Sequence, residues 1–430
     1  MSPFLRLAWA SAWNRRSTLA LTAISIALSV AMLLGVARAR VAAQEGFAQS
    51  VSGTDLVVGA RTNPVQLVLF AVFHLGDAMN EIRYASYEAV AADPAVAWAV
   101  PLALGDSHRG FAVLGTTTAY FERFRHGRQQ SLTFSEGRAF AGNLDGVFEA
   151  VIGADVARSL GYRIGQPITL SHGRGGFGDA QDAGLPEHAD KPFTVVGILE
   201  PSGTPVDRTV HVSLEAIEAI HLDWQAGAPL PGLTIPAGMV RKFDLHPHHV
   251  TAVLVGLKFR TAVFQVQRSV ARFAPEPLMA VLPGVALDQL WQVVGLVENA
   301  LLAVAALVVV VGLAGMIAVV LASLGERRRE LAVLRSVGAG TRHIAALLIA
   351  ESLAVTFAGA VLGATGLALL ATFAGAAIER RFGLVFPAGI AGAGEWKLLG
   401  GVLIAGLLGG IVPAWQACRL SLADGLTPRL

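Results

Sequence analysis

Four apolar runs, with a long stretch after the first that holds none, constrain this chain more than any motif does. Residues 17–37 carry no charged side chain, and residues 291–323, 343–374 and 398–417 are nearly as apolar. Each is long enough to cross about 30 Å of hydrocarbon as a helix. Between residues 38 and 290 no segment is, since 66–73 is apolar but too short. Hydrophobic residues make up 54% of the 430 and charged residues 15%, against about 25% charged in a typical soluble chain. The expected fold class is a membrane α-helical protein, with four transmembrane helices and a large inserted α/β extracytoplasmic domain.

Residues 324–342 join the second and third runs, and their charge sets the orientation. Arg327, Arg328, Arg329, Arg335 and Arg342 crowd the segment, while Leu331, Val333, Leu334 and Val337 fall near helical spacing. Gly338 and Gly340 read as a helix stop. Arginines in a short loop stay on the cytoplasmic side, so 324–342 is expected to be a cytoplasmic helix and loop. Four spans then put both ends in the cytoplasm, and place 38–290 and the short loop 375–397 outside it. Residues 1–16 interleave Phe4, Trp9 and Trp13 with Arg6, Arg15 and Arg16, which suits a helix lying in the membrane interface. A secretory signal is the competing reading of 17–37, but the run is long for one and lacks a convincing cleavage site. Residues 418–430 form a polar cytoplasmic tail.

The stretch 38–290 reads as mixed α/β. Strand-like runs lie at 55–58, 97–102, 111–114, 150–152, 167–170, 193–199, 209–212 and 251–257, and helix-like pieces at 154–160 and 214–220. Residues 173–190 and 227–238 read as loops. The apolar segment 65–73 is either a buried strand or a lipid- or partner-facing segment.

Candidate chemistry is sparse. Glu298 and Glu351 are ionisable groups near or within the spans, which makes them functional candidates. The alternative places both at the headgroups, partly hydrated. His246, His248 and His249, with Asp244, could hold a transition metal through imidazole nitrogens. Glu187, His188, Asp190 and His172 could add to that set, and plain solvation is the competing reading. Cys418 is the only cysteine, which excludes an intrachain disulfide and a cysteine-based zinc site. None of the four lysines follows a glycine, so there is no phosphate-binding loop of the Gly-Lys-[Ser/Thr] type. No Ser-His-Asp spacing, paired-carboxylate motif or nucleic-acid patch stands out. Small residues recur at Gly359, Gly363 and Gly366, and again at Gly400, Gly401, Gly406, Gly409 and Gly410, a pattern that permits close helix packing.

The segment GERRRELAVLRSVGAGTRHIAALLIAESLAVTFAGAVLGATG resembles the signature of the MacB/LolC/FtsX-like ABC transporter permeases, a mechanotransmission class. Glu326, Arg327, Arg328, Glu330, Leu331, Ala332, Val333, Leu334, Arg335, Gly338, Ala339 and Glu351 carry the match. The ending PAWQACRLSLADGL resembles that family's tail, departing at Leu422, where proline is usual, and at Gly425, where alanine is usual. EAVIGADVARSLGYRIGQPITL and DKPFTVVGILEPSGTPVDRTVHVSLEAI resemble its periplasmic core domain.

The resemblance implies a permease in a bacterial inner membrane that is itself no enzyme. ATP and Mg would bind a separate ATPase present in two copies, alongside a second copy of the permease. Glu326, Arg327, Arg328, Glu330, Leu331, Leu334, Arg335 and Gly338 would form the ATPase-coupling segment. The work done would be export or extraction of a substrate, with a periplasmic adaptor, lipoprotein or binding protein as a possible partner. The alternatives are an FtsX-like signalling permease that controls a periplasmic partner, and a metal-linked (zinc) transport system using His246, His248 and His249.

Overall fold

The computed structural model describes residues 15–50, 52–76, 80–127, 129–173, 187–225, 228–229, 235–327, 330, 332–333, 335, 338–382, 392 and 394–419. Most of the interfacial segment 1–16, most of the loop 375–397 and the tail beyond 419 therefore lie outside the described residues. So do Arg328, Leu331 and Leu334. The chain divides into two compact units, one of residues Met1–Ala43 with Val294–Leu430, the other of Gln44–Val293.

Among the described residues the first unit is built on four long helices, α1 (Arg16–Ser50), α4 (Pro283–Glu326), α5 (Thr341–Phe382) and α6 (Glu395–Arg419); α2 (Pro64–Phe73) and α3 (Leu214–His221) are two of the shorter helices of the other unit. All four long helices are long and apolar enough to cross a membrane. Ile26, Val30, Leu34, Ala305, Met316 and Leu348 form part of their shared core. Leu21, Leu28, Leu296, Leu307 and Phe373 point outward at 61–85% exposure. A helix that is apolar on its outer face as well as its inner one is suited to lipid rather than water.

Glycines bring these helices together. A Cβ on Gly359 would lie 2.7 Å from Ile26 Cγ2, and one on Gly363 would lie 2.5 Å from the Ala27 carbonyl oxygen, so α5 touches the backbone of α1. Gly406 and Gly410 of α6 face Thr356 and Ser352 of α5 in the same way. Between α1 and α4, Ser29 Oγ donates to Ser25 O and lies 3.3 Å from Val308 O. Gly366, Gly400 and Gly401 have open space where a side chain would go. Part of each glycine series thus serves contacts within one chain. Pro413 sits inside α6, which continues to Arg419, past the residue 417 end expected for the last span. Such a proline is tolerated in a packed membrane helix because neighbours satisfy the freed backbone groups.

The second unit is organised on an eleven-stranded sheet. Its strands are β1 (Leu56–Ala60), β2 (Val96–His108), β3 (Phe111–Thr116), β4 (Phe134–Gly137), β5 (Glu149–Ile152), β6 (Pro167–Ile168), β7 (Ser171–His172), β8 (Phe193–Leu199), β9 (Thr209–Ser213), β10 (Ala252–Leu257) and β11 (Leu278–Val281). Their order is β11-β1-β10-β2-β3-β9-β5-β8-β4, with β7 on β2 and β6 on β8. Among the described residues β5 with β8 and β9 with β3 pair in parallel, and the other pairs are antiparallel. Every residue of β1 and β9 is buried, so both faces are covered there, which explains the unbroken apolar sequence of β1.

The segment 65–73 is neither a strand nor an exposed patch. It is α2, buried through Leu67, Val68, Phe70, Ala71, Val72 and Phe73. Asn63 accepts hydrogen bonds from the Val65 and Gln66 amides, Pro64 opens the first turn, and His74 ends the helix with φ 53°. Asn followed by Pro is a helix start, and it outweighs the strand propensity of the valines and phenylalanines.

Candidate functional site

The segment joining α4 to α5 is tied to the helix bundle by charge. Arg327, 5% exposed, donates from Nη1 to Glu351 Oε2 at 2.7 Å. Glu351 Oε1 accepts from Arg15 Nη2 at 2.9 Å. One carboxylate on α5 thus joins the residue after α4 to the residue before α1. Glu330 lies 3.7 Å from Arg327 Nε. Arg335 Nη2 approaches the Cys418 carbonyl at 3.4 Å, and Cys418 Sγ lies 3.5 Å from the Thr341 carbonyl, which links the segment to the end of α6. Gly338 has φ 101°, a left-handed conformation that glycine adopts without strain, and it serves as the expected break before α5. Within the expected apolar stripe, Val333 is exposed.

A second set of ion pairs sits farther along the same helices. Arg38, 2% exposed, is held by both carboxylate oxygens of Glu395 at 2.8 and 2.9 Å. Arg40 pairs with Glu298 at 3.0 Å. From Arg15 to Arg38 the rise along α1 is roughly 34 Å, close to the thickness of a bilayer core. The two candidate membrane carboxylates, Glu351 and Glu298, therefore belong to two charged belts at opposite ends of an apolar bundle. Their partners Arg15 and Arg40, and the separate Arg38–Glu395 pair, carry no signal in the sequence, because the pairing depends on which helices are neighbours.

The histidines of the second unit fall into two separate groups. His246, His248 and His249 are all exposed. His246 packs edge-on to Tyr84, with ring centroids 5.0 Å apart. The His248 backbone amide donates to Glu218 Oε1 at 2.8 Å. His249 lies in a short strand opposite Arg83. The structure does not converge these three on a common point. The set that does converge is Asp106, His172, His188 and His221, each offering one ligand atom within 4.8 Å of the others.

Local structure explains that convergence. Asp106 and His172 are cross-strand partners in the β2–β7 pair. The register of β2 against β3 shifts between Leu104 and Ser107, and such a bulge re-aims the side chains within it. The His188 amide donates to Leu170 O at 2.8 Å, which sets it beside β7. His221 is the last residue of α3. The Asp106 carboxylate, by its hydrogen bond, raises the His172 pKa above the usual histidine value. Burial, chiefly, pushes His188 down to about 4. Of these four, sequence reasoning named His172 and His188, as adjuncts of the other group, and missed Asp106 and His221.

The MacB-like periplasmic core domain family matches residues 19–271. The FtsX-like permease C-terminal family matches residues 302–422. The chain belongs to the MacB/FtsX-like ABC transporter permeases. The periplasmic region of MacB from Actinobacillus actinomycetemcomitans is 8% identical, with 57% of this chain and 97% of that one covered and a TM-score of 0.33. The extracellular domain of the noncanonic ABC-type transporter YknZ from Gram-positive bacteria is 12% identical, covering 53% and 99%, with a TM-score of 0.30. No curated protein matches the chain. The permease family match takes in Arg327, Glu351 and the whole α4–α5 segment, and the core-domain match takes in both histidine groups. This permease is thus a bacterial membrane protein with a periplasmic-type domain.

Proposed function

We propose that this permease converts ATP hydrolysis by a separate ATPase subunit into conformational work on its periplasmic domain, for export or extraction of a substrate, and that it resides in the inner membrane. The observation that carries the reading is the pair of family matches, one on each part of the chain. Residues 326–337 dock the ATPase: their apolar side chains enter its surface groove and their arginines meet acidic groups at the rim. Two permeases and two ATPases make the working unit, because four helices per chain are a small lever set alone.

The Arg327–Glu351–Arg15 contacts support this role for the segment. A displacement of 326–337 passes through Arg327 to Glu351 on α5 and to Arg15 at the foot of α1, so a push on one short segment reaches three helices together. Glu330 and Arg335 keep the segment oriented, and Gly338 lets it turn back into α5.

Leu334→Asp, with every arginine kept, tests docking against simple anchoring. Burying one leucine at a contact contributes about 1.5–3 kcal/mol, equivalent to a roughly tenfold to hundredfold change in affinity. The variant is expected to insert normally, to lose the ATPase on co-purification, and to lose coupled ATP turnover in nanodiscs. Wild-type association and turnover would show that the segment is only an anchor.

A further inference from the structure

The geometry points to a binding site for a divalent transition metal ion of the zinc class in the periplasmic-type unit, made by Asp106, His172, His188 and His221. The inference goes beyond the permease reading and does not depend on it. Three imidazoles and one carboxylate form a donor set that suits zinc and its neighbours, while calcium and magnesium take all-oxygen cages.

Three of the four ligand atoms stand at distances that fit one small ion, and the fourth, from His188, lies within 4.8 Å of them. His172 Nδ1 lies 2.9 Å from His221 Nε2 and 3.2 Å from Asp106 Oδ1, and His221 Nε2 lies 3.6 Å from Asp106 Oδ1. A tetrahedral ion bound at about 2.0–2.1 Å separates its ligand atoms by roughly 3.3–3.4 Å, in the middle of that range. Without an ion, two imidazole nitrogens and a carboxylate oxygen at this spacing must share protons. An ion replaces that arrangement with three direct bonds.

His188 is the independent observation. It is fully buried, and among the described residues neither of its ring nitrogens has a hydrogen-bond partner. A buried imidazole with both nitrogens unmatched is costly, and one bond to a metal removes part of that cost. Trp224 closes over it, with ring centroids 4.1 Å apart, and keeps water off its face. Supporting contacts aim the other ligands. His221 Nδ1 donates to the Ile217 carbonyl at 2.8 Å, which leaves the Nε2 lone pair directed at the cluster, the usual way a ligating histidine is held. His108, two residues beyond Asp106, has one nitrogen on the Thr169 carbonyl and the other on the Tyr162 hydroxyl, so it stands outside the set. Asp106 and His188 are buried while His172 and His221 are partly exposed, which gives an ion an approach from the His172/His221 side.

The test is metal binding by the full-length permease in nanodiscs, without the ATPase, so its outcome is separate from that of the docking experiment. The protein is stripped with chelator and titrated with Zn²⁺, read by bound-metal analysis after dialysis, and with Co²⁺, read by visible absorption. One ion per chain is expected, with the strong Co²⁺ bands of four-coordination and a rise in thermal midpoint on loading. His188→Gln and His221→Gln should each weaken binding by more than the roughly 10–100-fold that loss of a supporting partner costs. The triple change His246→Ala, His248→Ala, His249→Ala should leave it unchanged. Should His188→Gln fail to fold, Asp106→Asn carries the same test, with the metal-free thermal midpoint as its folding control. Absence of stoichiometric metal, a six-coordinate Co²⁺ spectrum, or loss of binding in the triple variant and not in His188→Gln would overturn the site.

Discussion

Glu351→Gln is expected to be among the most damaging single changes in the helix bundle. Glu351 neutralises Arg327 and Arg15 together, and all three side chains are at most 17% exposed. The amide keeps the shape but removes the charge, leaving two guanidinium groups in a site built for a carboxylate. Removing one partner of a buried ion pair costs about 3–5 kcal/mol. The measurable result is a lowered unfolding midpoint in nanodiscs, together with loss of coupled ATP turnover. Replacing all three, Arg15→Met and Arg327→Met with Glu351→Leu, should recover much of the stability, since apolar side chains can replace a buried ion triad, and should not recover coupling. A Glu351→Gln protein with wild-type stability would show that the two arginines are hydrated there.

Gly363→Leu should separate α5 from α1. Even the first carbon of the new side chain would sit 2.5 Å from Ala27 O and 3.0 Å from Val30 Cβ. The neighbour on one side is backbone and cannot rotate away, so the helices must part. Overpacking of this kind costs about 1–3 kcal/mol or more, and leucine extends well beyond the first carbon. Gly366→Ala, three residues on, meets open space and should be silent. The comparison is read by thermal unfolding of the two purified variants. Equal stability would mean that α1 and α5 do not pack through this glycine.

The sequence was legible wherever one local rule decided the outcome. Strand β8 and the helix at Ala154–Leu160 fall where periodicity put them, because each has a clear apolar face and a clear end. Gly338 breaks the chain where expected because a glycine takes its φ of 101° without strain. The apolar helix α2 was misread because a short run of valine, leucine and phenylalanine suits a buried strand and a buried helix equally; only its Asn-Pro start decides between them. β4 went unrecognised because Phe134–Gly137 has little apolar character away from β8, and β11 because four apolar residues are too short a run for periodicity to read.

The side-chain clusters were harder for a related reason. Glu351 was singled out from its place in an apolar run, but Arg15 lies 336 positions away in the chain. The three clustered histidines drew attention because they are adjacent in sequence, yet adjacency near a short edge strand sends their side chains to different neighbours. Asp106, His172, His188 and His221 come together through strand register, a bulge and the end of α3. None of these is written in local spacing.

The central claim is that ATP used by a separate subunit moves the periplasmic-type domain, and a distance between two copies of that domain tests it most directly. A single cysteine at Arg158, partly exposed in its short helix, is introduced in a Cys418→Ser background and spin-labelled in the permease–ATPase complex in nanodiscs. The account predicts one label-to-label distance distribution without nucleotide and a shifted one with a non-hydrolysable ATP analogue and Mg²⁺, the shift being absent in Leu334→Asp. An unchanged distribution in a complex that hydrolyses ATP at full rate would contradict it.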